Sequence, residues 1–365
     1  MGEPFAFGEK FRTTVFGSSH GPEVGVEIEG CPAGVEVSEA DIQLQLDRRK
    51  PGQSALVSGR KEEDIVVIES GIDNGKTTGG RMRMLVKNKD AKSSHYESTR
   101  DVPRPGHADF PATVKFGSAE PGGGFFSGRM TAAFVMAGAV AKKMLEARSV
   151  KTMAFARSIG RVSAEREVSD KEIENETYKN AVHTAAKEKV DAMVKEVEAA
   201  RNEGDSVGGV VECRVVGVSA GVGQPMFESI ESRLASAVFA IPAVKGIEFG
   251  TGFAAAKMKG SENNDEFALH KGKVVTKTNN SGGILGGLAS GMPIVFRVAF
   301  KPTSSIFKPQ KSVNLKSMEE EELRIAGRHD PCIAIRAVPV VENVAAIVMA
   351  DIILQDETGK QGART

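Results

Sequence analysis

Hydrophobic positions along the chain follow two periods. Alternating or β-branched runs predict strands at 24–30 (VGVEIEG), 64–70 (DIVVIES), 81–88 (RMRMLVKN), 208–218 (GGVVECRVVGV) and 292–301 (MPIVFRVAFK), because side chains on a strand point to opposite faces in turn. Helical spacing governs other stretches. SEADIQLQLDRRK opens with Ser38 and Asp41 in capping-box spacing and ends in a basic turn at Pro51. Residues 131–148 are Ala-rich and apolar on nearly every side, which predicts a buried helix. From about 171 to 203 a charged segment sets Val182, Ala186, Val190, Met193, Val197 and Ala200 on one stripe, predicting one long helix with a solvated face that Gly204 ends. Shorter helices are predicted at 228–240 and 341–355.

The order of these elements repeats. EGCPAGVEVSEADIQLQLD near the start and VGVSAGVGQPMFESIESRLA near 216 share strand, glycine, Ala-Gly and helix, with Gly30, Ala33 and Gly34 matching Gly217, Ala220 and Gly221. GIDNGKTTG (71–79) and GILGGLASG (283–291) align without gaps, and each leads into a strand. The pairs predict an α/β chain of two similar halves, 1–160 and 206–356, joined by a helical segment over 165–205 within a single 1–365 domain. On that pattern RPGHAD (104–109) has its counterpart in GRHDPC (327–332), each just before an apolar helix.

Composition narrows the partners. Lys plus Arg and Asp plus Glu both number 48, so the net charge is zero and the footprint of a general nucleic-acid binder is missing. The apolar stretch 131–141 is too short to cross a bilayer and the N-terminus has no signal-peptide core, so no membrane partner and a cytoplasmic location are expected. Cys31, Cys213 and Cys332 lie far apart and read as buried thiols. The six histidines show no metal-ligand spacing, and no metal site is expected.

Half of those histidines share one setting. FGSSHG holds Ser19 and His20, RPGHAD holds Arg104, His107 and Asp109, and GRHDP holds Arg328, His329 and Asp330, all in Gly- or Pro-bounded loops. A lone loop histidine is ordinarily a solvated residue, but three beside Arg or Asp point to acid–base chemistry on an anionic ligand. GGGFFSGRMTA (122–132) runs a glycine-rich loop into a helix start with Ser127, Arg129 and Thr131 near the exposed amides, and KPTSS (301–305) closes a strand with a cation and three hydroxyls. Neither is a Walker loop or a dinucleotide fingerprint, so kinase and Rossmann dehydrogenase readings lack their signals.

FGSSHG, DRRKPGQ, TTG, NKD, RPGHAD, GGGFFSGRMTA, GDSVGG, AVKGIEFGTGF, NNSGGILGG, KPTSS and GRHDPCIAIRAVPV occur in the order found in chorismate synthases, from about residue 7 to 356. The resemblance implies an α/β sandwich with sheets about a central helical layer, a homotetramer, and a requirement for reduced FMN. It implies 1,4-anti elimination of phosphate from 5-enolpyruvylshikimate 3-phosphate to give chorismate, with no net redox change, at the end of the shikimate pathway. NADPH is implied only if the chain also reduces flavin. By matching motif, His20 is the acid to the departing phosphate, His107 protonates or holds the anionic reduced flavin, and Asp330 sits by the flavin N5. Arg49, Arg104, Arg129 and Arg328 are the substrate's arginines. Ser127, Ala243, Gly286, Lys301, Thr303, Ser304, Ser305 and Arg328 are the FMN positions.

The chain departs from the family at several of these motifs. Phe125, Phe126 and Ser127 stand where many members have Arg-Ser-Ser, Ala55 stands for an arginine that Arg60 could replace, Pro242 for an asparagine, and Ser18 for an acidic residue. A flavin- or phospho-ligand-binding protein without turnover is the competing class, and retention of His20, His107 and Asp330 argues against it.

Overall fold

The computed structural model describes residues 4–52, 56–57, 62–89, 101–325, 327 and 329–362. The first sheet joins β1 (Ala6–Phe7), β2 (Arg12–Gly17), β3 (Glu23–Glu29), β4 (Val66–Ser70) and β7 (Met82–Lys87) in the order β1-β2-β3-β7-β4, all antiparallel. Between its strands lie α1 (Glu39–Arg49) and the small hairpin β5 (Ile72–Asp73)/β6 (Lys76–Thr77). After α2 (Asp109–Phe116) and α3 (Thr131–Glu146), β8 (Lys151–Ile159), β9 (Val162–Ser163), β10 (Gly209–Val216), β11 (Val244–Phe249) and β16 (Ile294–Phe300) form a second antiparallel sheet, ordered β11-β16-β10-β8-β9. Its connections carry α4 (Asp170–Glu176), α5 (Val190–Asn202), α6 (Ile230–Val238), α7 (Gly260–Asn263) and the hairpins β12 (Phe267–His270)/β13 (Lys273–Thr276) and β14 (Ile284–Leu285)/β15 (Leu288–Ala289). The hairpin β17 (Gln310–Asn314)/β18 (Glu319–Leu323) and α8 (Ile333–Gly362) complete the chain.

Amphipathic sheets must bury one face, and here both bury it on helices. Val24, Val26 and Ile28 of β3 and Met82, Met84 and Val86 of β7 face α3, while Val211, Cys213 and Val215 of β10 and Phe296 and Val298 of β16 face α8. α3 and α8 pack on each other, so the helices form the middle layer of the expected sandwich, with α1 and α6 beside them. A helix between two sheets needs apolar residues all round. α3 has them from Ala132 through Ala141, and Met144 and Leu145 follow. Ser38 and Asp41 make the predicted capping box on α1, which stops at the end of the basic turn.

The repeated sequences fold alike. Gly34 N–H donates to Thr77 O at 2.8 Å and Gly221 N–H to Ala289 O at 2.8 Å, equivalent positions of the two aligned pairs. Both glycines sit at positive φ, 84° and 87°, a conformation that costs a residue with a Cβ.

Three expectations need correction. The long helix over 171–203 is instead α4, two 3-10 turns (Thr177–Lys179 and Lys187–Lys189) and α5. Asn180 breaks it: its side chain donates to Glu176 O (3.0 Å) and Thr184 O (2.7 Å) and accepts from Thr184 N (3.2 Å), offering the backbone partners other than a helix. Val182, Ala186, Met193, Val197 and Ala200 are all buried, but from separate elements. The last helix begins at Ile333, not 341, and runs through Pro339. Proline removes the N–H that would close on Ile335 O. His183 Nδ1, 3.0 Å from that oxygen, donates in its place, which is where the broken segment docks. Finally, the most apolar span is in α8 and not at 131–141. Ile333–Gly359 is long and apolar enough to cross a membrane by length and composition, with mean hydropathy 2.0 in its best window, yet that window is entirely buried inside the fold. The three cysteines are free and buried, and burial pushes the thiols of Cys31 and Cys332 up to about 11 and about 12.

Candidate functional site

The loop before α2 is built around Asp109, the first residue of that helix and buried there. Arg104 donates to it through Nε (2.7 Å), Nη2 (2.8 Å) and its backbone N–H (3.1 Å), and His107 Nδ1 lies 2.6 Å from Oδ1. Burial would raise the Asp109 carboxyl, but hydrogen bonds from Arg104 and His107 outweigh it and hold the group far below the usual carboxylate range. An ionised carboxylate only accepts, so Nδ1 of His107 carries the proton and Nε2 is left for chemistry. Arg104 Nη2, 3.1 Å from the same nitrogen, is then a contact and not a hydrogen bond. The loop is clamped to KPTSS: Arg104 Nη1 donates to Ser305 Oγ (3.3 Å), Ser304 Oγ donates to Gly106 O (2.8 Å), and Lys301 Nζ donates to the same carbonyl.

The triple glycine explains how His20 comes near. A Cβ on Gly122 would fall 2.0 Å from His20 Cε1, and one on Gly123 2.9 Å from His107 Cε1. Each imidazole rests on bare backbone that any side chain would displace. Ser19 Oγ is 3.1 Å from His20 Nδ1.

A third cluster lies deeper. Asp64, 2 % exposed and at φ 51°, pairs with Arg49 through one carboxylate oxygen and with Arg129 through the other. Arg129 Nε also donates to Asn88 Oδ1 at 2.9 Å. Burial presses the Arg49 guanidinium down to about 10, against the pull of Asp64, and neighbouring Arg336 and Arg129 add to it. Burial opposes ionisation of Asp64, but Arg49 and Arg129 keep its carboxyl below the ordinary range. Arg336 Nη1 donates to Asp330 Oδ2 at 2.6 Å and Nε donates to Arg49 O at 3.1 Å, one of the carbonyls left open at the end of α1.

These clusters wall one cavity of about 490 Å³. Among the predicted residues, His107, Asp330, Arg49, Arg104, Arg129, Ser127, Ala243, Lys301, Thr303, Ser304 and Ser305 line it. His20 does not, but it rests on Gly122, which does. Gly286 lies in the β14/β15 turn, away from the cavity lining, and Arg328, Ala55 and Arg60 fall outside the described residues. Arg336, Lys245 and Glu62 line the cavity as well and were not anticipated. Arg336 had a signal, since it stands six residues past Asp330 inside GRHDPCIAIRAVPV. Asp64 had none, hidden in the charged run KEED. Phe126 lines the cavity, and its ring centroid lies 4.6 Å from that of Phe125 with the planes tilted by 47°. Phe125 turns instead to Phe5 and Phe116, edge to face, in an adjoining apolar cavity of about 900 Å³. Six arginines or lysines line the polar cavity against two carboxylates, Glu62 and Asp330. Such a wall suits a ligand with several anionic groups.

Fold and cavity together define an α/β enzyme for a small polyanionic substrate. A family model described as chorismate synthase matches residues 11–354. Curated chorismate synthases of Methanocella arvoryzae (51% identical, 94% of this chain and 93% of that one) and Korarchaeum cryptofilum (48% identical, 97% and 98%) are similar along nearly their whole length. A crystal structure of a chorismate synthase superposes with a TM-score of 0.77 at 28% identity, covering 96% of this chain and 93% of the other. The chain belongs to the chorismate synthase family, carbon–oxygen lyases of the shikimate pathway that convert 5-enolpyruvylshikimate 3-phosphate to chorismate.

Proposed function

We propose that the chain performs this reaction as a 1,4-anti elimination of phosphate that depends on reduced FMN and shows no net redox change. One observation carries the reading: His107, Asp330 and the arginines Arg49, Arg104 and Arg129 face the same cavity as the Lys301–Ser305 loop. A substrate with one phosphate and two carboxylates needs that concentration of donors. Reduced FMN, when bound, lends electron density to the breaking C–O bond and recovers it.

The donor set fits such a cofactor. Lys301, Ser304 and Ser305 put a cation and two hydroxyls on one wall, and Thr303 Oγ1 beside them is buried with no partner among the described residues. A phosphate ester supplies the missing acceptor. Burial, then Lys245, lowers the Lys301 ammonium, and an anion bound there would oppose both effects. Ser127 and Ala243 share the cavity, the latter at a positive φ of 73° that brings its backbone to the wall. Gly286 and Arg328 belong to the cofactor set by family resemblance alone, and Arg328 to the substrate set as well.

The chain's own groups move the protons. His20 delivers one from Nε2 to the departing phosphate, its Nδ1 being engaged by Ser19. His107, fixed through Nδ1, holds or releases a proton at Nε2 beside the flavin. Asp330, held by Arg336, assists removal of the ring hydrogen. The same reading includes a cytoplasmic homotetramer and a chain of two similar halves, 1–160 and 206–356, which the repeated glycine contacts support.

The test supplies the phosphorylated substrate anaerobically with chemically reduced FMN, and in parallel with NADPH and oxidised FMN. Chorismate in the first arm is expected. Binding without chorismate there overturns the reading in favour of a non-catalytic protein, and the second arm reports whether the chain also reduces flavin.

A further inference from the structure

We infer that Arg336 is a further substrate-binding residue, one that takes a carboxylate of the substrate and not its phosphate; this rests on the function proposed above.

Arg336 lies in the first turn of α8 and lines the cavity, its side chain 17 % exposed. Two of its nitrogens are committed: Nε to the Arg49 carbonyl that ends α1, and Nη1 to Asp330. Nη2 has no hydrogen-bond partner among the described residues. A guanidinium fixed at two corners has little freedom left to lose, so a ligand contact to the third corner costs little ordering entropy. It is therefore preorganised to donate.

The neighbours choose the anion. Asp330 Oδ2 accepts from Nη1 at 2.6 Å, so a ligand at Nη2 shares the guanidinium with a carboxyl group. The Lys301–Ser305 wall is taken by the cofactor's phosphate ester, and the substrate's phosphate belongs beside its proton donor His20, which does not line the cavity with Arg336, so a carboxylate is the substrate anion left for this arginine. Arg336 also holds the end of α1 from which Arg49 projects, so it links two arginines of one site.

The test compares wild type, Arg336→Gln and Arg336→Lys by calorimetric binding of two probes, the intact substrate and inorganic phosphate, with steady-state kinetics alongside. Arg336→Gln is expected to weaken substrate binding about tenfold, the worth of one charge-assisted hydrogen bond, with the loss appearing in KM more than in kcat. Phosphate binding is expected to stay within twofold, and Arg336→Lys to recover part of the substrate affinity. Unchanged substrate affinity in Arg336→Gln overturns the inference, as does an equal loss for phosphate. Thermal melts accompany each variant, and should Arg336→Gln not fold, Arg336→Lys carries the same comparison at smaller amplitude. Calorimetry needs no turnover, so a wild-type chain that makes no chorismate would sink the proposed reaction and leave this test standing.

Discussion

Two buried aspartates organise the site, and they recruit their partners from different ranges. Asp109 takes Arg104 and His107 from five and two residues away, whereas Asp64 takes Arg49 and Arg129 from 15 and 65 residues away. The first clamp belongs to one loop and needs only that loop to form. The second exists only after α1, the approach to β4 and the turn before α3 have docked. On the function proposed above, the local clamp orients a histidine that handles a proton, beside one binding arginine, and the long-range clamp holds arginines that only bind.

That contrast can be broken by experiment. The largest effect is expected at the histidines: His107→Ala and His20→Ala should each lower turnover by about two to four decades with the melting temperature little changed. Near-wild-type single-turnover rates would remove them from the mechanism. Asp109→Asn should come next, at about one to two decades in kcat, because His107 loses the acceptor that fixes its tautomer. A loss confined to KM would assign Asp109 to binding alone.

Stability should rank the pair the other way. Asp64→Asn leaves two buried guanidinium groups without their shared partner and is expected to cost about 3–5 kcal/mol in urea unfolding. Asp109→Asn should cost less, since Arg104 keeps Ser305. Equal costs would erase the distinction. Acid sharpens it further. Both carboxyls ionise at lower pH in the fold than in the unfolded chain. As pH falls through roughly 4, the unfolded chain binds protons first, and the stability present at neutral pH is lost below that range. Each Asn variant should flatten the acid limb of the stability curve. An unaltered limb would mean that other carboxylates set it.

The smallest effect concerns α8. His183→Ala should destabilise wild type by about 1 kcal/mol through the orphaned Ile335 carbonyl, but much less in a Pro339→Ala background that restores the helical N–H. Additive costs would show that the histidine is not mending the helix.

What could be read ahead of the structure follows the same division by range. The strands and α1 were legible because their faces alternate or their caps are local, as Ser38 and Asp41 show. β8 was missed because it is buried on both faces, by α8 on one side and by a cluster around Ile173 and Ala185 on the other, so its run of apolar residues carries no alternation. The break at Asn180 was missed because a side chain satisfying four backbone groups leaves no periodic trace. His107 and Asp330 were visible from their loops, while Asp64 and the second half of Arg336's role depend on contacts across long stretches of chain.

The glycines at 122 and 123 act as shims of fixed thickness. Because each imidazole is seated on its own backbone unit, thickening one shim by a single methyl group, as in Gly122→Ala or Gly123→Ala, shifts one histidine and spares the other. The chain thus carries a separate mechanical adjustment for each of the two histidines proposed to handle protons, set by main chain that has no role in the proposed chemistry.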